Sequence, residues 1–315
     1  MLAFFSVLLL TGTLATTGAA PALPATAATN SSAELDRELQ KIMDLDDEAQ
    51  AEVDQWIQQD RQFAAKGAGA DPEQLRRRIQ QRLEPVHKAY EDFISQHPNY
   101  ARARVAYASF LSDTRSEEAA QEQLERALTI DTNNPAIYNN LAQIYAHIGP
   151  DVKKAFEYYE KAISLKPGES TYFHNLGTVV YLFRKDAKEY YQIDEAHVFA
   201  KAFGLYSNAM RLDPENFPLA SDVAQTYYGV QPLPTDEALN AWTNAMHLAN
   251  DDVELEGVYA HFARIKTLAG RFREAQAHLD AITNTMYVDL KARLQRNLNA
   301  RQAKAQTNAP PEAKK

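Results

Sequence analysis

A small residue, a bulky one and a third packing residue recur five times at fixed helical spacing in this chain. The sets are Ala120, Leu124 and Ala127; Ala155, Tyr159 and Ala162; Ala202, Tyr206 and Ala209; Ala238, Trp242 and Ala245; Ala275, Leu279 and Ile282. Successive first alanines lie 35, 47, 36 and 37 residues apart. A period in that range implies a solenoid of helix pairs, in which each unit buries its apolar face only against its neighbours.

A second small residue precedes each set: Ala108, Ala142, Gly177, Ala224 and Ala263. It lies 12 to 14 residues upstream, except in the third unit, where the distance is 25. Bulky residues flank it one before and three after, as Tyr107 and Leu111, Leu141 and Tyr145, Leu176 and Val180, Val223 and Tyr227. These offsets fall on one helical face. Small residues let two helices approach, and bulky ones fill the space between neighbours. The turns at Asp131 to Pro135, Lys166 to Gly168 and Asp213 to Asn216 close the units, because proline ends one helix and suits the start of the next.

The pattern resembles the tetratricopeptide repeat over roughly residues 101 to 290. Tyr138 to Tyr145 followed by Ala155 to Pro167, and Phe173 to Gly177 followed by Ala202 to Pro214, carry the resemblance best. It implies an all-α, right-handed solenoid of helix pairs with capping helices at both ends. Departures are an insertion within 183–198, Val230-Gln-Pro-Leu-Pro234 in the fourth inter-helix turn, and Lys266 at a place where an apolar residue is usual.

Outside the repeats, residues 1–27 combine an apolar core at Leu2 to Leu10 with the small-x-small pattern Ala25-Thr-Ala27, although no basic residue occurs before Arg37. This reads as a secretory signal, with an uncleaved anchor as the competing reading. The expectation is an exported protein, in a periplasm, whose membrane contact is confined to that segment. Residues 34–66 read as an amphipathic helix with Leu35, Ile42, Ala49, Trp56 and Phe63 spaced by seven, while Asp46 and Asp60 interrupt the adjacent row. It serves as a cap on the first repeat, or as a surface for self-association or for docking a partner. Residues 71–100 read as a degenerate half-repeat with Pro85 at its turn or kink and Val86, Tyr90 and Phe93 packing. The insertion is expected to lengthen one or both helices of the third unit, with Tyr190 and Tyr191 against the next unit. Residues 286–304 read as a C-terminal capping helix and 305–315 as a disordered polar tail.

The formal net charge of −9 opposes a general nucleic-acid surface. The absence of cysteine excludes disulfides and thiol chemistry. No metal-ligand spacing, phosphate loop or nucleophile elbow stands out, so neither an enzyme nor a cofactor or metal is expected. His147 and His174, from neighbouring units, could approach each other as polar groove lining.

In the family, first helices line the concave side. The resemblance implies that Asn140 and Asn175, each one residue before the bulky–small pair, hold the backbone of an extended ligand; Asp222 and His261 follow in register. A carboxamide offers two donors and one acceptor and so can hold a peptide group whatever its side chain. Asn139, Gln143, His147, His174, Thr178, Gln225 and Tyr228 would complete the groove. The functional expectation is a scaffold that binds a protein or extended peptide. The other readings are an accessory subunit of an envelope enzyme or secretion system, and a self-assembling structural protein built through residues 34–66.

Overall fold

The computed structural model describes residues 28–64, 71–148 and 151–307 of the 315; residues 1–27 and 308–315, with the signal and most of the tail, lie outside them. Regular structure among the described residues is entirely helical, and none of these helices is long and apolar enough to cross a membrane. The chain divides into two compact units, residues 1–90 and 91–315.

The first unit contains α1 (Ala28–Ala64) and α2 (Pro72–Gln96) as far as Tyr90. Three links join them in descending order along α2. Tyr90 Oη donates to Asp46 at 3.1 Å, Arg82 forks onto Glu52 at 3.0 and 3.2 Å, and the Arg78 guanidinium lies 3.8 Å from the Trp56 ring centre. The helices are therefore antiparallel. The buried line on α1 is Leu39, Ala49 and Val53, whereas Phe63 at the end of the seven-residue row is exposed. The inward face is thus centred between the two rows, where Asp46 serves as the acceptor for Tyr90 rather than as a flaw. Residues 72–96 form one helix that runs through Pro85, not a turn between two. Val86, Tyr90 and Phe93 all face inward on it.

The second unit stacks five helix pairs: α3 (Ala101–Asp113) with α4 (Glu117–Ile130), α5 (Pro135–His147) with α6 (Val152–Leu165), α7 (Ser170–Leu182) with α9 (Glu195–Leu212), α10 (Phe217–Thr226) with α11 (Thr235–Leu248), and α12 (Asp252–Leu268) with α13 (Phe272–Ala281). The helix starts are chemically marked. Asn134 accepts from the Ala136 amide ahead of Pro135, Asn216 from Leu219 ahead of Pro218, and Asp251 from Glu254. Each cap satisfies an amide that the first turn leaves without a carbonyl.

The small-residue frame holds the pairs together. Every first alanine of the five sets is fully buried, as are Leu124, Tyr159, Tyr206, Trp242 and Leu279. Gly177 lets the helices approach closely, since a Cβ there would sit 3.0 Å from the Tyr206 ring, tighter than ordinary contact.

The insertion leaves α7 at 13 residues but lengthens α9 to 18, against 14 in α4, α6 and α11, so one of the two helices is extended as expected. It also forms a separate short helix, α8 (Arg184–Tyr191), ended by Gln192 in the left-handed region at φ 53°. Asp194 then caps α9 by accepting from His197. α7 and α9 pair directly, and α8 packs on α6. Tyr190 and Tyr191 rest on Phe156 at 5.2 and 5.5 Å, in the preceding unit and not the next one. The left-handed residue ends α8 and turns the chain into α9.

Lys266 is accommodated by polar partners. It reaches Glu274 at 3.0 Å and His278 at 3.0 Å. The last pair is covered by α14 (Val288–Thr307), whose Leu294 and Leu298 pack with Ala263, Ala275 and Leu279. This helix continues past 304. Glu256 secures the approach to it, accepting from the amides of Thr283 and Asn284 and from Thr283 Oγ1. These bonds, the Asn284 amide first, hold its carboxyl below the usual range.

Candidate functional site

The sequence-predicted groove residues sit on the first helices α5, α7, α10 and α12, and most of them join in a ladder of side-chain bonds across the seams. At the α5–α7 seam, Asn175 Nδ2 donates to Asn139 Oδ1 at 2.9 Å, and Asn139 Nδ2 donates to Asn140 Oδ1 at 3.1 Å. At the α7–α10 seam, His174 Nε2 lies 2.8 Å from Asp222 Oδ2. Near α12, Tyr228 Oη meets His261 Nδ1 at 3.0 Å.

The first two rungs obey one rule. The residue two before the bulky packing position of one unit meets the residue one before it in the next. Val105 occupies the earlier of these places on α3, so Asn140 has no polar group to meet there and turns to Asn139 instead. The third rung departs from the rule, because Ser221 is too short to span the seam and Tyr228, from the turn after α10, takes its place.

This arrangement corrects the expected pair of solvent-facing amides. Asn175 is only 4% exposed and Asn139 only 8%. Their amides are engaged with each other and stabilise the seam, since a buried carboxamide must find partners. Asn140 is half-buried and makes no bond through its Nδ2. His147 is exposed at the last turn of α5, and His174 pairs with Asp222 rather than with it.

Gln143 is half-buried without a side-chain bond, and Gln225 lies 3.5 Å from both Ser221 Oγ and Asp222 Oδ1. Thr178 accepts from Tyr206 Oη at 3.2 Å. No group of three or more His, Cys, Asp and Glu among the described residues could hold a metal.

His261, already in register from the sequence, and Arg264, which was not singled out from it, complete the site. His261 stacks on Trp242 with ring centres 3.8 Å apart, and Arg264 lies 4.4 Å from the Tyr228 ring centre. Burial, with the Arg264 charge adding to it, pushes the His261 pKa down to about 3, so the ring is neutral near pH 7. Arg264 was readable in principle: it stands three residues after His261, as Gln143, Thr178 and Gln225 stand three after Asn140, Asn175 and Asp222.

The comparisons with known proteins bear on the fold. Residues 135–169 match the tetratricopeptide repeat model. Comparison with curated protein sequences gives no match. Among solved structures, the chain is similar to Pseudomonas aeruginosa pilF, with 17% identity, a TM-score of 0.50, and 84% of this chain and 99% of that one covered. It is also similar to a monomeric mutant of IFIT1 solved with m7Gppp-AAAA, at 18% identity and TM-score 0.54, covering 70% of this chain and 51% of that one. A third similarity is to YrrB, described as a tetratricopeptide-repeat protein with an unusual peptide-binding site, at 18% identity and TM-score 0.48 over 67% of this chain and 99% of YrrB.

Proposed function

On the premise that residues 135–169 are a tetratricopeptide repeat within a tetratricopeptide-type array of helix pairs, we propose that this protein is a non-catalytic scaffold that holds an extended segment of another protein along its first helices. The observation that carries this reading is the ladder itself. It fixes the orientation of a row of polar side chains from α5 to α12 while leaving Asn140 Nδ2 and Gln143 available to a ligand. Preoriented donors and acceptors at the spacing of successive helices suit a peptide backbone, because little side-chain entropy remains to be lost on binding.

A capped-RNA ligand, as in the IFIT1 structure, is disfavoured by the net charge of −9. Export is part of the proposal and rests on the sequence of residues 1–27; N-terminal sequencing of the protein purified from the cell envelope should give Ala28 first.

Site-specific photo-crosslinking tests the binding face. A crosslinker at Gln143 should trap a partner polypeptide in cells, and Asn140→Ala should reduce the yield. The same crosslinker at Glu157, exposed on α6, should trap none. Equal trapping from both positions would sink the proposal.

A further inference from the structure

At the start of the second unit lies a cleft of about 350 Å³ between the end of α2 and the α3–α4 pair. Its lining includes Glu91, Ser95, Pro98, Arg104, Gln123 and Arg126. Arg104 is only 8% exposed, yet its bonds go to neutral acceptors alone. Nε and Nη2 donate to the Pro98 carbonyl at 3.2 and 3.0 Å, and Nη1 to Gln123 Oε1 at 2.9 Å. A guanidinium has five N–H donors, so two remain. A buried charge is ordinarily paired; here the neighbouring charge is a second cation. Burial first, and Arg126 next, lower the Arg104 pKa. Arg126 gives one N–H to Glu122 on its own helix and keeps the others unbonded. Two guanidiniums facing one small cleft are out of keeping with a chain of net charge −9. Glu91, exposed and on the lining, limits how much anionic charge the cleft tolerates.

We propose that this cleft binds a single carboxylate, held by the free N–H groups of Arg104 and Arg126. A planar guanidinium fork matches a carboxylate in geometry as well as charge. The cleft volume accommodates an acid of about the size of a glutamate side chain. Such a group comes either from a small free acid or from an acidic side chain of a bound protein. The site lies on the end of α2, α3 and α4, apart from the ladder on α5 to α12, and does not depend on the groove.

Titration followed by the Arg Nε–H resonances tests it, at constant ionic strength and chloride, with butyrate, with blocked acetyl-Ala-Glu-Ala-amide and with its glutamine counterpart. Either acid should shift the Arg104 and Arg126 resonances saturably, and the glutamine peptide should bind about tenfold more weakly, the ratio expected of one charge-assisted bond. Tighter binding of butyrate would identify a free acid as the natural occupant, and tighter binding of the tripeptide an acidic side chain; both uphold the site. Arg126→Gln, on an exposed position, should fold normally and weaken binding about tenfold. Arg104→Lys keeps the charge but loses the fork and should bind more weakly still. If that variant fails to fold, Arg126→Gln decides alone. Asn140→Ala should leave the titration unchanged, which separates this site from the groove. Absence of saturable shifts, an equal response to the glutamine peptide, or unchanged affinity in Arg126→Gln would overturn the assignment.

Discussion

Asn175 on α7 donates its side-chain amide to Asn139 on α5 at 2.9 Å, one residue away in register from the asparagine that it matches in sequence. The bond makes Asn175 a seam residue. Asn175→Ala strands the Asn139 acceptor in a buried place and should lower unfolding stability by about 1–3 kcal/mol. Asn140→Ala, at a half-buried position with an unbonded Nδ2, should change it by less than about 0.5 kcal/mol. Urea unfolding of the two variants reads the contrast. Equal costs would mean that the register places no special demand on Asn175.

Ala202 is fully buried where α9 meets α7, facing the frame that also holds Gly177 against Tyr206. Ala202→Leu forces side-chain volume into a dry contact and should cost about 1–3 kcal/mol by overpacking. Thermal and urea unfolding against wild type provide the measurement. A fully stable variant would show that the third pair packs differently.

The frame of small residues could be read from sequence because close packing tolerates few alternatives at 0% exposure, as at Ala155 and Ala162. The seam bonds could not. Sequence places Asn139 and Asn140 on a helix, but which one meets Asn175 depends on the offset between two first helices, and that is a tertiary quantity. The insertion hid its turn as well. Gln192 adopts φ 53° without the glycine that usually announces it, so the extension of α9 was legible but the break that sets α8 apart was not. Arg104 was obscure for a related reason: its burial is set by Pro98 and Gln123, which converge on it from outside α3.

The aromatic pair on α8 anchors the insertion to α6. Tyr190 and Tyr191 meet edge to face with ring centres 4.7 Å apart and both rest on Phe156, while Tyr190 Oη donates to Glu160 at 3.3 Å. Tyr190→Ala should release α8 from α6 with a cost of about 1–3 kcal/mol, since the ring is half-buried rather than enclosed. Amide exchange should then speed up across 184–191 and leave α5 unchanged. Unaltered protection of α8 would place its anchor elsewhere.

His261 makes the fold sensitive to mild acid. In the folded chain its pKa is pushed down to about 3, by burial and then by Arg264; unfolded, it returns to about 6.5. The groups around the ring are Tyr228, Trp242 and Arg264, none of them anionic, so nothing in its surroundings rewards protonation. The sign follows from proton uptake. Above pH 6.5 neither state is protonated and the contribution to stability is complete. As pH falls from about 6.5 towards about 3, the unfolded chain binds a proton that the folded chain refuses, and stability is lost at up to about 1.4 kcal/mol per pH unit. Between pH 7 and 5, where most carboxylates stay charged, the loss attributable to His261 should be about 1–2 kcal/mol. The chain has eight histidines, so the quantity to measure is the difference between wild type and His261→Gln. The variant should be less stable at pH 7, having lost the stacked ring, but should decline less steeply towards pH 5. Parallel pH profiles for the two proteins would show that the ring accepts its proton in the folded state, and that Arg264 and burial do not hold it neutral.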